Sequence, residues 1–89
     1  MWLITTRGSY SVVQDDDDAR MVLVRARARE DLDRIAELLP GLEPWHDPSA
    51  DHPWRARMAR SEWAYALGVM AGEIGDHDVA PPVDDLPRR

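Results

Sequence analysis

Two short stretches, Val24-Arg25-Ala26-Arg27 and Trp54-Arg55-Ala56-Arg57, indicate the architecture of this chain. In each of them an apolar or small residue alternates with arginine, which is the pattern of a strand with one apolar face and one charged face. Each stretch is followed by a segment whose apolar residues have helical spacing. The two stretches therefore predict one sheet that has helices on one face and arginines on the other.

The segments around these stretches supply the other elements. Strands are predicted at residues 2–6, 9–14, 20–28 and 54–58. Helices are predicted at residues 30–39, ended by Pro40-Gly41, and from an N-cap at Ser61 to a C-cap at Gly75. The intervening residues 42–53 contain three prolines and are expected to form an irregular loop.

These elements predict an α+β fold of the order ββ-βα-βα. It is a four-stranded mixed sheet with two helices on one face, in the neighbourhood of the ferredoxin-like folds. Because a helix connects the third and fourth strands, these two strands are expected to be parallel. Residues 1–75 form the predicted domain, and residues 76–89 form an acidic, proline-rich tail. Gly68 and Gly72 are expected to allow the second helix to pack closely against its neighbours.

The composition excludes several classes of protein. The chain has 89 residues, enough for one small domain, and it has no cysteine, which excludes disulfides and thiolate metal sites. No apolar run approaches the ~20 residues that span a membrane, and the N-terminus lacks the pattern of a secretory signal. We therefore expect a soluble cytoplasmic protein. The net charge of −6 argues against non-specific nucleic-acid binding, because phosphate attraction grows with the number of cationic contacts.

The first candidate site is the arginine face of the predicted sheet, formed by Arg25, Arg27, Arg55 and Arg57. Guanidinium groups donate paired hydrogen bonds to carboxylates and phosphates, so this face suits an acidic protein, an anionic ligand or a nucleic acid. The alternative is a solvated face that the protein's own Asp and Glu side chains neutralise. The aromatic signature of RNA-binding sheets is absent, which ranks nucleic acid behind a protein partner.

The second candidate is the segment 45–54, which reads Trp-His-Asp, then Asp-His, then Trp. Its His and Asp side chains, together with Asp76-His77-Asp78, are possible ligands of a divalent ion. Their spacing matches no zinc motif, so neither a metal nor a cofactor is predicted. Trp45 and His52 are assigned instead to the binding surface, and Trp45 is the tryptophan expected to be exposed. No nucleophile elbow or phosphate-binding loop is present, which favours a binding protein over an enzyme.

Three segments, residues 1–13, 24–27 and 51–56, resemble an uncharacterised family of small bacterial proteins. Members of that family open with aromatic-x-x-Thr and a Gly-aromatic-Ser-Val-Val turn. They later carry a Val-Arg-Ala-Arg strand, an Asp-Tyr-Pro-Tyr-Arg-like strand and a terminal helix. In this chain, residues 75–79 stand where that family has an acidic-aromatic stretch. The resemblance implies a small bacterial protein and no particular activity.

The lack of catalytic motifs beside a one-sided arginine face indicates a non-catalytic binding module for a protein partner. A homodimer is also expected, with the arginines of one copy against the acidic loop (residues 15–18) or tail of another. Two alternatives stay open. One is nucleic-acid or anionic-ligand binding by the same arginines, and the other is an acidic, phage-type decoy that occupies a nucleic-acid-binding protein.

Overall fold

The structure is a computed structural model that describes residues 1–74. Its elements are the strands β1 (Trp2–Thr5), β2 (Gly8–Gln14), β3 (Met21–Ala26), β4 (Trp45–His46) and β5 (Trp54–Ala59), and the helices α1 (Arg29–Ala36) and α2 (Arg60–Gly72). The strands form one sheet in the order β1-β2-β3-β5-β4, and every neighbouring pair is antiparallel. The predicted tail, residues 76–89, and the predicted C-cap Gly75 lie outside the described residues.

One face of the sheet carries the hydrophobic core, as the alternation of the sequence requires. In β3 the side chains of Val22, Val24 and Ala26 are buried against the helices, while the residues between them point to the other face. Leu32 of α1 is fully buried against this core, which stabilises the fold by about 1.5–3 kcal/mol for a side chain of this size. The other helix contributes Trp63, Ala66 and Met70. The predicted α+β layering, with two helices on one face of a sheet, is confirmed.

The predicted strand number and the predicted parallel pair were wrong. The chain forms a fifth strand, β4, inside the segment expected to be an irregular loop. Since β4 is antiparallel to β5, and β5 is antiparallel to β3, β4 runs in the direction of β3. The helical connection therefore does lead to a strand of the same direction, but that strand is β4. A hairpin then reverses the chain, and β5 lies between β3 and β4.

The β1–β2 hairpin is attached to both helices at its turn. Thr5 and Gly8 are paired across a two-residue turn, and Gly8 has a φ of 153°, a conformation that favours glycine. A Cβ atom at this position would clash with the side chain of Asp31 in α1. Arg7, in the turn itself, donates hydrogen bonds of 2.8 and 2.7 Å to the carboxylate of Glu73 and one of 3.1 Å to Glu37. These contacts connect the hairpin to the ends of α1 and α2.

Helix α2 differs in detail from the prediction. It begins at Arg60, and the Glu62 carboxylate accepts a hydrogen bond of 2.9 Å from the backbone N–H of Ala59, so Ser61 is not the N-cap. Open space surrounds Gly68 and Gly72, which means that the expected close packing at these glycines is wrong. Neither helix within residues 1–74 is long and apolar enough to cross a membrane.

Candidate functional site: the open face of the sheet

The strand register places five residues in one line across the open face, the face opposite the helices. Trp2 pairs with Ser11, Ser11 with Arg25, Arg25 with Arg55, and Arg55 with Trp45. We call this line the Trp–Arg row. Neighbouring strands lie about 4.8 Å apart, so the row is roughly 19 Å long. Two arginines stand at its centre, and a tryptophan stands at each end.

The two central arginines are partly buried and form no salt bridge within residues 1–74. Arg25 donates a hydrogen bond of 2.6 Å from Nη2 to the Ser11 hydroxyl, which is itself only 2% exposed. The Nε atoms of Arg25 and Arg55 are enclosed and have no hydrogen-bond partner among residues 1–74. Burial, and secondarily the positive charge of Arg55, lowers the pKa of Arg25. No carboxylate in this part of the chain ion-pairs with either arginine, so two like charges oppose each other at the centre of the row.

The other two predicted arginines have different surroundings. Arg57 forms an ion pair of 3.2 Å with Asp15, the first residue of the acidic loop. The alternative of a self-neutralised face therefore holds at Arg57. The central arginines form no ion pair within residues 1–74, although the positive charge of Arg55 contributes to the lowered pKa of Asp47. Arg27 is exposed at the end of β3 and lines a cleft beside the row. All four arginines lie on the predicted face, but only Arg25 and Arg55 belong to the Trp–Arg row.

His52 lies at the border of the open face, as a member of the loop between β4 and β5. Its ring packs on Trp2 with 5.1 Å between the ring centroids. Burial lowers the pKa of His52, and the charges of Arg27 and Arg25 lower it further. Burial and the neighbouring arginines therefore favour the neutral form of the imidazole over its charged form.

The remainder of the segment 45–54 does not converge on one site. Trp45 is 43% exposed at the end of the row, as predicted for this residue. His46, its neighbour in β4, points to the opposite face and packs on Trp54 at 4.7 Å. Asp47 accepts hydrogen bonds from the backbone N–H and hydroxyl of Ser49, which keep its pKa low. This carboxylate stabilises the turn of its own loop.

The described residues contain no group of three or more His, Asp or Glu side chains arranged to hold a metal ion. His46 and His52 lie on opposite sides of the sheet, which explains why their symmetrical spacing in the sequence does not produce a ligand set. The other ligands considered from the sequence, Asp76-His77-Asp78, lie outside the described residues.

A cleft of about 340 Å³ opens beside the Trp–Arg row. Trp2 and Ile4 of β1, together with Arg27 and His52, are among the residues that line it. Asp31 also lines the cleft, and its carboxylate accepts hydrogen bonds from Arg34 and from the backbone N–H of Ser9. The sequence analysis did not predict that side chains of β1 and β2 would line the site. The signal was the short Thr6-Arg7 turn, which fixes the hairpin register and thereby the face on which β1 places its side chains.

Comparison of the chain with models of known protein families, with curated proteins and with solved structures found no match. The resemblance described from the sequence therefore depends on its short motifs alone. The functional argument depends on the geometry of the open face.

Proposed function

We propose that this protein is a non-catalytic binding module that recognises an acidic segment of a partner protein on the open face of its sheet. The observation that carries the proposal is the opposition of Arg25 and Arg55 at the centre of the Trp–Arg row, with no carboxylate of residues 1–74 in an ion pair with either. A carboxylate of the partner would relieve the repulsion between the two guanidinium groups and accept hydrogen bonds from their terminal nitrogens.

The two ends of the row support this interpretation. Trp2 and Trp45 are 37% and 43% exposed, and tryptophan and arginine are the side chains that most often dominate the energy of a protein interface. A partner segment that runs along the row would meet an aromatic ring, then two cations, then a second aromatic ring. This order suits a short segment with central acidic residues and apolar residues on both sides.

The acidic loop favours a short acidic segment over a long polyanion. Residues 15–18 are four consecutive Asp, and Asp15 contacts Arg57 at the margin of the open face. A nucleic-acid strand that extended beyond the row towards the acidic loop would bring its phosphates close to these carboxylates. A short peptide can stay on the row and avoid the repulsion.

The proposal is tested by titrating the protein with a synthetic glutamate-rich peptide and measuring affinity by calorimetry. Arg25→Gln and Arg55→Gln are each expected to weaken binding about tenfold, which corresponds to the loss of one charge-assisted hydrogen bond. The matched control is Arg20→Gln, which removes the same charge from a side chain that is 89% exposed and paired with Asp18. Equal effects of all three variants, or no binding of the peptide by the unmodified protein, would contradict the proposal.

Single-stranded nucleic acid is the second candidate ligand, and the exposed rings of Trp2 and Trp45 are the observation that favours it. Bases stack on exposed aromatic side chains next to cationic groups. If nucleic acid is the ligand, an oligonucleotide should bind more tightly than the glutamate-rich peptide, and its affinity should fall steeply as the salt concentration rises. Trp45→Ala would then weaken oligonucleotide binding without changing the salt dependence, because the number of phosphate contacts stays the same.

A further inference from the structure

The outer edge of β1 has backbone groups that no other strand within residues 1–74 uses. The backbone groups of Met1 and Val12 form two hydrogen bonds of 2.7 Å, so these residues are a hydrogen-bonded pair of the antiparallel ladder. Hydrogen-bonded pairs alternate with non-bonded pairs along such a ladder. Leu3 therefore directs its N–H and C=O towards β2, whereas Trp2 and Ile4 direct theirs away from the sheet.

This edge lacks the features that block an added strand, and the opposite edge of the sheet has them. Proteins protect edge strands with proline, with charged side chains, with a bulge or by keeping the strand very short. The residues of β1 are uncharged and pair with β2 without interruption. In contrast, β4 has two residues, and Pro44 and Pro48 lie close to its ends. Among the described strands, β1 is therefore the one that offers an open edge.

We propose that β1 pairs in the antiparallel direction with β1 of a second copy of this protein and joins the two sheets into one. This inference goes beyond the proposed function and does not depend on it. One open edge in each molecule produces a closed dimer with two-fold symmetry, whereas two open edges would let copies add without limit.

The outward backbone groups determine the register of this pairing. In the register that uses both outward residues of each copy, Trp2 pairs with Ile4 of the second copy, and Ile4 pairs with its Trp2. Each of these pairs exchanges both of its N–H···O bonds. Leu3 lies at the two-fold axis, opposite Leu3 of the second copy, in the non-bonded pair between them.

The side chains of β1 fit a second copy better than a charged segment. Opposite residues of antiparallel strands share a face, so Trp2 of one copy lies beside Ile4 of the other on the open face, and aromatic and β-branched side chains stabilise each other in such pairs. Both side chains are 37% exposed in the single chain, so the pairing removes apolar surface from water. Because β1 has no charged residue, two copies bring no like charges together at this edge, although each chain carries a net charge of −6.

The proposed dimer has both open faces on the same side. The added strand lies in the plane of the sheet, and opposite residues share a face, so the two Trp–Arg rows face the same way and stay accessible. A partner that carries two matching segments is then able to bind both rows at once, which raises its apparent affinity without any new contact.

Sedimentation equilibrium tests the pairing through the outward N–H of Ile4. The paired segment is short, so we expect a dissociation constant on the order of 10–100 μM, and the measurements extend from below to above this concentration. Ile4→Pro removes an N–H that the sheet does not use, and proline is tolerated at such positions of edge strands. It should weaken the dimer at least tenfold. Ile4→Val, the matched control, keeps the N–H and should change the dissociation constant less than about twofold.

Cysteine cross-linking tests the register, because the natural chain has no cysteine. Residues in a non-bonded pair have Cα atoms about 4.5 Å apart, which a disulfide spans, so Leu3→Cys should form a covalent dimer on oxidation. Thr5→Cys is the control on the same strand. Its two copies would lie about 14 Å apart along the strands, beyond the reach of a disulfide, and should stay uncoupled.

Amide hydrogen exchange of the unmodified protein does not depend on how well any variant folds. The Trp2 and Ile4 amides should become protected as the protein concentration rises through the dissociation constant. A monomer at every concentration overturns the inference, as does a dimer that tolerates Ile4→Pro or is cross-linked by Thr5→Cys and not by Leu3→Cys. Protection of both amides in the monomer overturns it in favour of a segment of the same chain on this edge.

Discussion

Arg25 and Arg55 are expected to repel each other in the free protein, and a double-mutant cycle measures this repulsion. They are direct neighbours across β3 and β5 on the same face, where Cβ atoms lie about 5 Å apart. If the guanidinium groups are about 6 Å apart, the repulsion is about 0.7 kcal/mol at the dielectric constant of water and about 3 kcal/mol at an effective value of 20. The groups are partly buried, so we expect about 1 kcal/mol.

The assay is urea unfolding of the unmodified protein, Arg25→Gln, Arg55→Gln and the double variant. The cycle removes effects that belong to one residue alone, such as the hydrogen bond from Arg25 to Ser11. Replacing Arg55 by Gln removes the repulsion only if Arg25 is still charged. The change in the free energy of unfolding should therefore be about 1 kcal/mol more favourable in the unmodified protein than in Arg25→Gln, and this difference should shrink as salt screens the charges. A coupling near zero, or an attractive one, would refute the idea that the free protein holds two opposed cations at the centre of the row.

Three other predictions follow from single contacts. Gly8→Ala is expected to destabilise the protein by about 1–3 kcal/mol in thermal melts, because the backbone φ is positive and the new Cβ would clash with the Asp31 side chain. An unchanged melting temperature would contradict this geometry. Arg7 lowers the pKa of Glu73, so this pair stabilises the fold at neutral pH and stops doing so as the pH falls through that lowered pKa. Glu73→Gln should thus reduce the melting temperature at about pH 7 and not at about pH 2, and an equal reduction at both would contradict the assignment. In NMR titrations, His52 should protonate below its ordinary pKa in the free protein, and its pKa should rise when an acidic peptide binds to the open face; an unchanged value would place the peptide elsewhere.

The alternation of residues in the sequence was enough to predict which side of the sheet each arginine occupies. Strand periodicity is a local property, since successive side chains of an extended chain point to opposite faces whatever their neighbours are. Helical spacing of apolar residues predicted both helices, and a tight turn between two strand patterns predicted the β1–β2 hairpin. The exposure of Trp45 was predicted from its place in an expected loop. None of these patterns predicted β4, because two residues between prolines carry no periodic pattern of their own.

The alignment of the site depended on the tertiary structure. Arg25 and Arg55 oppose each other only because β5 lies beside β3 in one particular antiparallel register, and a parallel pair would have placed them differently. The position of Trp2 at one end of the row depends likewise on the register of the β1–β2 hairpin. Local sequence determined the faces of this sheet, whereas the row across it was decided by pairings between strands that are distant in the chain, which depend on the packing of the whole core.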